Sequence, residues 1–190
     1  IATAFMDSIP MVVISGQVQS HLIGTDAFQE TDMIGVSRPI VKHSFTVDKQ
    51  ENIAQIVKEA FHIATSGRQG PVVIDVPKDL TNPDELFDFN YPEKANIRSY
   101  NPPVKPENHQ VSRAVDAILT AERPVIYAGG GTISSNASDE LRELNELLDF
   151  PVTNTLMGLG VYPGTGKRFL GMLGMHGTYQ ANMAMHNADL

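Results

Sequence analysis

Two strand–helix–strand patterns, separated by a proline-rich stretch, constrain the fold of this chain more than any other feature. In the first pattern, continuous apolar runs at residues 11–14 and 72–76 flank a helix. In the second, residues 125–128 and a strand that begins at Val152 flank another helix. Continuous rather than alternating apolar runs are typical of strands buried on both faces of a parallel sheet. The sequence therefore predicts an α/β protein with two parallel-sheet domains built from right-handed crossovers.

The helix of the first pattern has the clearest boundary signals. Asp48 and Glu51 have the spacing of a capping box, and Gly67 stands just after the last helical turn. Apolar residues recur between them at helical spacing, namely Ile53, Ile56, Val57, Ala60, Phe61 and Ala64. We expect a further strand at residues 39–45 and the end of a helix at residues 1–8.

The second pattern predicts two striped helices, at residues 111–119 and 141–148, with a glycine turn before the second. The last four residues resemble the approach to another strand. Residues 81–106 contain five prolines and few aliphatic side chains, which is typical of an extended interdomain linker. The predicted boundaries are therefore 1–80, 81–106 and 107–190.

Composition excludes several classes of protein. The net charge is −8, whereas surfaces that bind nucleic acid or anionic membranes need a basic patch. No apolar run reaches the roughly 18 residues that a membrane helix requires. The absence of cysteine excludes disulfides and thiolate metal sites and is compatible with a reducing cytoplasm. We therefore expect a cytoplasmic protein with no nucleic-acid or membrane partner.

Three glycines and an arginine are candidates for binding phosphate groups. Gly129, Gly130 and Gly131 follow a predicted strand and precede a helix, where the backbone can approach a phosphate or ribose closely. The alternative is a plain structural turn, since the three do not form a GxGxxG pattern. Arg68 follows Gly67 in a loop that leads into a strand, and its planar guanidinium could hold a diphosphate. The alternative is a solvated arginine that interacts with the dipole of a helix end.

Three other residues are candidates for contacting a substrate. Lys78 lies just past the carboxyl end of the strand at residues 72–76, at the edge where open parallel sheets bind ligands. The alternative is a solvated surface lysine. Phe28 and Gln29 lie in an aperiodic loop, where a phenylalanine more often belongs to a satellite core than to the wall of a substrate site.

Two histidines and five methionines near the end of the sequence raise the question of a Cu(I) site, since thioethers bind that ion. They are His176, His186, Met157, Met172, Met175, Met183 and Met185. We favour the other interpretation, in which methionines fill irregular gaps around apolar cores and flat ligands. No paired carboxylates, HExxH or GxSxG motif occur, so neither a metal site nor a hydrolase is predicted.

Three segments are more specific than these fold-level patterns. They are GQVQSHLIGTDAFQETD at residues 16–32, SGRQGPVVIDVPKD at 66–79, and TLMGLG with GMLGMHGTYQANMAMHNADL within 155–190. Together they resemble the large, catalytic subunit of acetolactate synthase (acetohydroxyacid synthase), a thiamine-diphosphate enzyme that also binds FAD. The resemblance runs through all 190 residues and implies an internal segment of such a subunit.

The resemblance implies the identity of each domain and its cofactor contacts. Residues 1–80 would be the C-terminal part of the domain that binds the pyrimidine of thiamine diphosphate. Residues 107–190 would be the N-terminal half of the central FAD-contacting domain, so that both domains are incomplete. Arg68, Gly129, Gly130 and Gly131 would contact FAD. The other implied FAD contacts are Thr155, Leu156, Met157, Leu173, Gly174, Met175, His176, Gly177, Thr178, Tyr179 and Asn182.

The resemblance also implies an active-site channel that faces the partner subunit. Its lining residues would be Gln19, Ala27, Phe28, Gln29 and Lys78. Gln19 departs from many relatives, which have proline or alanine at this position beside the herbicide channel. No catalytic residue is expected within these 190 residues. The catalytic glutamate would precede Ile1, and the GDG…N segment that holds Mg²⁺ and the diphosphate would follow Leu190.

The implied parent is a bacterial, cytoplasmic transferase of aldehyde or ketone groups. It would condense two 2-oxoacids, pyruvate with pyruvate or 2-oxobutyrate, with loss of CO2, in branched-chain amino-acid biosynthesis. Its cofactors would be thiamine diphosphate, Mg²⁺ and FAD, and its partners a second large subunit and a separate regulatory small subunit. The alternatives are another thiamine-diphosphate enzyme, such as glyoxylate carboligase or pyruvate oxidase, or a stable core without catalytic activity. The 190 residues alone are predicted to be inactive.

Overall fold

The computed structural model describes residues 1–190 and divides into two compact units, Ile1–Val104 and Lys105–Leu190. We refer to them as the first and second units. No helix in either unit could span a bilayer, since the two longest, Ile53–Thr65 and Asn108–Thr120, have 13 residues each.

The first unit contains a three-stranded parallel sheet with three helices. In chain order its elements are α1 (Ala2–Met6), β1 (Met11–Gln17), α2 (Met33–Ser37), β2 (His43–Thr46), α3 (Ile53–Thr65) and β3 (Pro71–Pro77). The strand order is β1-β3-β2, and both pairings are parallel. The predicted α/β architecture is therefore confirmed for this unit.

The core of the first unit lies between β3 and α3. Val72, Val73 and Ile74 on β3 are at most 1% exposed. Ala60 and Ala64 on α3 pack into the same cluster with Ile74. Small residues on one face of α3 let the helix pack closely against the strand.

Several boundaries in the first unit differ from the sequence predictions. β1 continues beyond residue 14 to Gln17, because it pairs with β3 along its whole length. The strand predicted at residues 39–45 begins at His43, since Arg38–Ile40 forms a 3-10 turn. Residues 78–81 form another 3-10 turn.

The predicted capping box does not form. A 3-10 turn, Gln50–Asn52, precedes α3, so Asp48 lies too far upstream to cap it. The Asp48 carboxylate instead accepts a hydrogen bond of 2.7 Å from Asn52 Nδ2. The glycine signal at the other end of the helix is correct. Gly67 has a φ of +57°, the left-handed conformation that glycine adopts after a helix.

The segment predicted as a linker forms no helix or strand between Asn82 and Glu107. Its later part packs onto the first unit. The Tyr100 hydroxyl donates to the carbonyl of Ser66 at 2.9 Å and accepts from Lys42 Nζ at 2.9 Å. Ile97 and Tyr100 also pack against the α3–β3 core.

The second unit has another three-stranded parallel sheet, in the order β4-β5-β6. Its elements are α4 (Asn108–Thr120), β4 (Ile126–Ala128), α5 (Gly130–Ser134), α6 (Ser138–Leu148), β5 (Val152–Asn154), β6 (Phe169–Met172) and α7 (Tyr179–Asn187). The two separate parallel sheets confirm the predicted fold class.

Three features of the second unit differ from the predictions or extend them. The glycine turn is instead the start of a helix, since Gly130 and Gly131 form the first turn of α5. β6 and α7 were not predicted. The last residues do approach a strand position, because Leu190 accepts a hydrogen bond of 2.9 Å from the N–H of Val125.

We expect Ile74→Ala to lower the free energy of unfolding of the first unit by about 2–5 kcal/mol, because it leaves a cavity in the core. Ile14 is the matched control. It is the register partner of Ile74 on β1 but is 66% exposed, so Ile14→Ala should cost much less. Urea denaturation followed by far-UV circular dichroism measures both. Equal losses would contradict a core centred on β3.

Candidate functional site

Most of the predicted site residues of both units lie at the carboxyl ends of parallel strands or in the loops that follow. In the first unit Gln19 to Gln29 follow β1, and Lys78 follows β3. In the second unit the three glycines follow β4, residues 155–157 follow β5, and residues 173–178 follow β6. This is the edge at which open parallel sheets bind ligands. Arg68 instead precedes β3, and Tyr179 and Asn182 lie on α7.

The loop that carries Ala27, Phe28 and Gln29 is closed by its own glutamate. The Glu30 carboxylate accepts hydrogen bonds from the backbone N–H groups of Gly24 and, at 3.0 Å, Ala27. Within this turn Gly24, Asp26 and Gln29 all have positive φ angles. We refer to residues 24–30 as the GTDAFQE loop.

Phe28 is 89% exposed, so the GTDAFQE loop presents its aromatic ring to solvent. A satellite core position, the other interpretation of this phenylalanine, is therefore wrong in this structure. Gln29 is also exposed, whereas Ala27 is half-buried. The N–H bond from Gly24 and, to a smaller extent, the N–H bond from Ala27 hold the pKa of the Glu30 carboxyl below its usual range.

A carboxylate that sequence reasoning missed lies beneath this loop. Asp75 on β3 is 2% exposed, and its two oxygens accept hydrogen bonds from Ser15 Oγ at 2.6 Å and Gln17 Nε2 at 2.9 Å. Gln17 Nε2 also donates to the carbonyl of Thr31 at 2.7 Å. The available signal was a single charged residue inside the apolar run VVIDV.

Gln19 and Lys78 lie together at the ends of β1 and β3. Both line a cavity of about 290 Å³. Its wall is fixed by Asp79, whose carboxylate accepts from the N–H of Ser20 at 2.8 Å and from its hydroxyl at 3.1 Å. The bond from the Ser20 N–H has the larger effect, and together the two bonds hold the pKa of Asp79 below its usual range.

Lys78 also borders a second, largely apolar cavity of about 550 Å³. Its apolar lining comprises Ile14, Val47, Ile53, Val57, Ile74 and Val76. Lys78 is exposed and forms no salt bridge, so its ammonium group is available to an anion at the mouth of this cavity. The strand-end position therefore places Lys78 at a concave surface.

Arg68 lies elsewhere, at the C-terminal end of α1. Its Nε donates to Ser8 Oγ at 2.9 Å, and its NH2 group donates to the carbonyls of Phe5 and Met6 at 3.4 Å. These carbonyls belong to the last turn of α1, where a cation is favourable. The structure therefore has the helix-end arrangement, and the FAD contact of Arg68 stays a prediction.

In the second unit the segments after β4 and β5 pack backbone to backbone. A Cβ added at Gly130 would lie 3.1 Å from Met157 Cβ, and one at Gly158 would lie 2.9 Å from Gly129 Cα. The Thr155 hydroxyl accepts from the N–H of Gly158 at 3.0 Å, which fixes the turn after β5. Gly129, Gly130, Thr155 and Met157 are thus brought together.

Gly131 differs from its neighbours because nothing local requires a glycine there. A Cβ at this position would meet no heavy atom within 4 Å, and its φ is not positive. The backbone of Gly131 is thus open to an incoming group. Leu156 and Met157, on the adjoining turn, are 68% and 41% exposed and border the same strand ends.

The segment after β6 is held by Asn182. Its Oδ1 accepts from the N–H of Gly174 at 2.9 Å, and its Nδ2 donates to the carbonyl of Gly174 at 3.1 Å. Gly174 has a φ of +102°, and the Thr178 hydroxyl caps α7 by accepting from Ala181 N–H at 3.1 Å. Asn182 and Thr178 therefore hold the loop in place.

The residues presented by that loop are open to solvent. Met175 and Tyr179 are 91% and 74% exposed, and His176 is also exposed, whereas Leu173 and Gly177 are partly buried. No group of three or more His, Asp or Glu side chains in the structure could hold a metal ion. The edge of the second unit thus combines open glycine backbone with exposed apolar side chains, which suits a flat ligand that carries phosphate groups.

We expect Gly158→Ala to lower the stability of the second unit by about 1–3 kcal/mol or more, because the added methyl group would overlap the backbone at Ala128 and Gly129. Gly131→Ala is the matched control and should be neutral or stabilising by up to about 1 kcal/mol, since alanine favours a helix. Thermal denaturation of both variants measures the difference. Equal destabilisation would contradict the close approach described here.

Acid should release the GTDAFQE loop. The pKa of Glu30 lies below its ordinary value of 4.5, so the closed loop is stabilised above that pH and loses this contribution as the pH falls through the lower folded value. Phe28→Trp provides a fluorescent reporter in a chain without tryptophan. Its mobility should rise in acid while far-UV circular dichroism still reports folded protein.

Adding Glu30→Gln should give the mobile state already at pH 7, and an unchanged acid step in that variant would contradict the assignment.

Comparison with known proteins gives consistent results for sequence and fold. Residues 111–190 match the family "Thiamine pyrophosphate enzyme, central domain". All 190 residues are 61% identical to the acetolactate synthase large subunit of Buchnera aphidicola subsp. Acyrthosiphon pisum and cover 33% of it. They are 55% identical to the acetolactate synthase isozyme 3 large subunit of Escherichia coli K12, again over 33% of that protein.

A more distant solved structure shares the fold. It is a protein isolated from Mycobacterium smegmatis that is described provisionally as a thiamin diphosphate-dependent enzyme. The match covers 92% of this chain and 33% of that protein's chain, with a TM-score of 0.73 and a sequence identity of 22%. The chain spans about a third of the length of the curated relatives it matches. By sequence, it belongs to the acetolactate synthase large-subunit family of thiamine pyrophosphate enzymes.

Proposed function

We propose that these 190 residues are part of an acetolactate synthase that condenses two 2-oxoacids with loss of CO2. The products would be 2-acetolactate or 2-aceto-2-hydroxybutyrate. The observation that carries this proposal is the 61% identity to an acetolactate synthase large subunit over every residue of the chain. The open, concave carboxyl edges of both sheets are compatible with it.

Thiamine diphosphate would supply the carbon–carbon bond chemistry, as in other enzymes of this cofactor. The first unit would contribute the wall of the active-site channel. Lys78 offers a cation that no carboxylate pairs, at the mouth of an apolar cavity, and this arrangement suits the carboxylate of a 2-oxoacid. Phe28 on its closed loop offers an apolar surface that can exclude water. Gln19, Ala27 and Gln29 complete the proposed channel.

FAD would lie along the carboxyl edge of the second unit. The open backbone at Gly131 leaves room for a phosphate or ribose, and the exposed side chains of Leu156, Met157 and Met175 can contact flat rings. Arg68 would have to leave the end of α1 or share it with the cofactor. Mg²⁺ would be held by residues outside this sequence.

FAD binding is tested by Gly131→Ala in the complete large subunit. A methyl group at this open position should obstruct the cofactor, and we expect the flavin Kd to rise about tenfold, which corresponds to roughly 1.4 kcal/mol. Gly164→Ala is the control, because Gly164 lies in the loop before β6 and an added Cβ there meets only one ring atom, at 4.0 Å. Equal flavin affinity in the two variants would count against this site.

The proposed partners are a second large subunit and a regulatory small subunit, in a bacterial cytoplasm. The relative in Escherichia coli is named a large subunit, which supports a separate small one. Size-exclusion chromatography of the complete large subunit, with and without a co-expressed small subunit, tests both contacts.

The function is tested by the products that the complete subunit forms from pyruvate and from glyoxylate with thiamine diphosphate, Mg²⁺ and FAD, in air and with inorganic phosphate present. We expect acetolactate. Tartronate semialdehyde or acetyl phosphate would instead identify a glyoxylate carboligase or a pyruvate oxidase. The 190-residue chain alone should form none of these, since it spans about a third of its relatives. Acetolactate formation by this chain would contradict that expectation, and lack of every product in the complete subunit would favour a non-catalytic core.

Lys78→Ala in the complete subunit should lower kcat/KM by about tenfold to a hundredfold, as expected when a group that positions substrate is lost. Lys94→Ala, an exposed lysine in the segment between Asn82 and Glu107, is the control. Steady-state kinetics with pyruvate measures both. Unchanged kinetics in Lys78→Ala would identify Lys78 as a solvated surface residue.

A further inference from the structure

Asp75 is the only charged side chain among the buried residues of the structure, and the proposed function does not use it. A buried carboxylate is costly unless it is paired or fully hydrogen-bonded. Neither of the two salt bridges in the structure involves Asp75. The side-chain donors that its two oxygens meet are the Ser15 hydroxyl and the Gln17 carboxamide.

The bond to Ser15 joins two strands. Ser15 is the register partner of Asp75 in the β1–β3 pair, so this contact reinforces a pairing that the backbone ladder already makes. Loss of the Ser15 hydroxyl should therefore leave the loops unchanged. This makes Ser15 a suitable internal control for the other bond.

The bond between Asp75 and Gln17 is connected to the loop, because Gln17 also bonds to Thr31. The Gln17 carboxamide donates to Asp75 Oδ2 at 2.9 Å and to the carbonyl of Thr31 at 2.7 Å, and its Oε1 accepts from Val18 N–H at 2.9 Å. Gln17 ends β1, whereas Thr31 directly follows the GTDAFQE loop. One side chain thus joins the two ends of the segment 18–31 to a buried carboxylate of the central strand.

This tether complements the other contacts of the segment. Glu30 closes the GTDAFQE loop on itself but does not attach it to the sheet. Asp79 attaches the beginning of the segment, at Ser20. The Gln17–Thr31 bond attaches its end. Gln17 is in turn held by Asp75 Oδ2 on the buried central strand, at 2.9 Å.

We propose that Asp75, acting through Gln17, is a positioning residue that fixes the GTDAFQE loop and its exposed Phe28 at the carboxyl edge of the first sheet. This part of the proposal does not depend on any activity. Its consequence for catalysis rests on the proposed function. If Phe28 borders the substrate channel, the tether determines how closely the loop approaches a bound 2-oxoacid.

The loop is tested in the 190-residue chain, which contains no tryptophan, so that Phe28→Trp introduces a single reporter. Gln17→Met keeps the length of the side chain but removes every hydrogen bond to Asp75 and Thr31. We expect the amplitude of the nanosecond component of the fluorescence anisotropy decay to rise about twofold in Gln17→Met. Ser15→Ala, which removes a bond to the same carboxylate, should leave it unchanged.

Gln17→Asn is a second variant that keeps the amide and shortens it by one methylene group. It should lose the Thr31 carbonyl and give the same rise in mobility, even if Gln17→Met does not fold by far-UV circular dichroism. An unchanged anisotropy in Gln17→Asn, or an equal rise in Ser15→Ala, would overturn the proposal.

The catalytic consequence is tested in the complete subunit. Gln17→Asn should raise KM for the 2-oxoacid severalfold with a smaller change in kcat, and Ser15→Ala should change neither by as much. A mobile loop with unaltered kinetics would refute the catalytic role alone. An inactive parent enzyme would refute the proposed function but leave the anisotropy result to decide the tether.

Discussion

The organisation of the first unit depends on the burial of β3 between β1 and β2. Its residues from Pro71 to Asp75 are buried, so the position of its carboxyl end is fixed by packing on both faces and pairing on both edges. Two of the side chains that organise the neighbouring loops are anchored there. Asp75 holds Gln17 from within the strand, and Asp79 holds Ser20 just beyond its end. A rigid central strand thus orders loops that have little core of their own.

In the second unit, close packing of backbone rather than hydrogen bonds to carboxylates orders the segments that follow β4 and β5. Glycine at 130 and 158 lets the chain that leaves β4 lie against the chain that leaves β5. Leu156 and Met157, on the turn after β5, are nevertheless 68% and 41% exposed. The segment after β6 is held by a side chain instead, because the Asn182 carboxamide bonds to both backbone groups of Gly174. The result is an ordered edge with an apolar, open surface.

Sequence patterns predicted those parts of the structure that depend on local or continuous signals. The buried strands were found from predominantly apolar runs, and Gly67 from its place after a striped helix. β6 was missed because Gly171, with a φ of +87°, interrupts a short, half-exposed strand. Asp75 was missed because its donors lie 60 and 58 residues earlier, at a distance that no local pattern reports. The roles of the site residues come from resemblance and stay predictions.

The distribution of charge at the edge of the first sheet has a consequence for anionic ligands. The chain carries a net charge of −8, which opposes the approach of an anionic ligand. Yet three carboxylates at this edge are engaged by the protein itself, since Glu30 and Asp79 accept backbone N–H bonds and Asp75 accepts bonds from side chains. Hydrogen-bond donors directed at these oxygens reduce the field that they project outward. Lys78 has no salt bridge at the edge of the apolar cavity, whereas Glu85 lines the smaller cavity beside it. The bonds that order the loops therefore also offset part of the negative charge around this lysine.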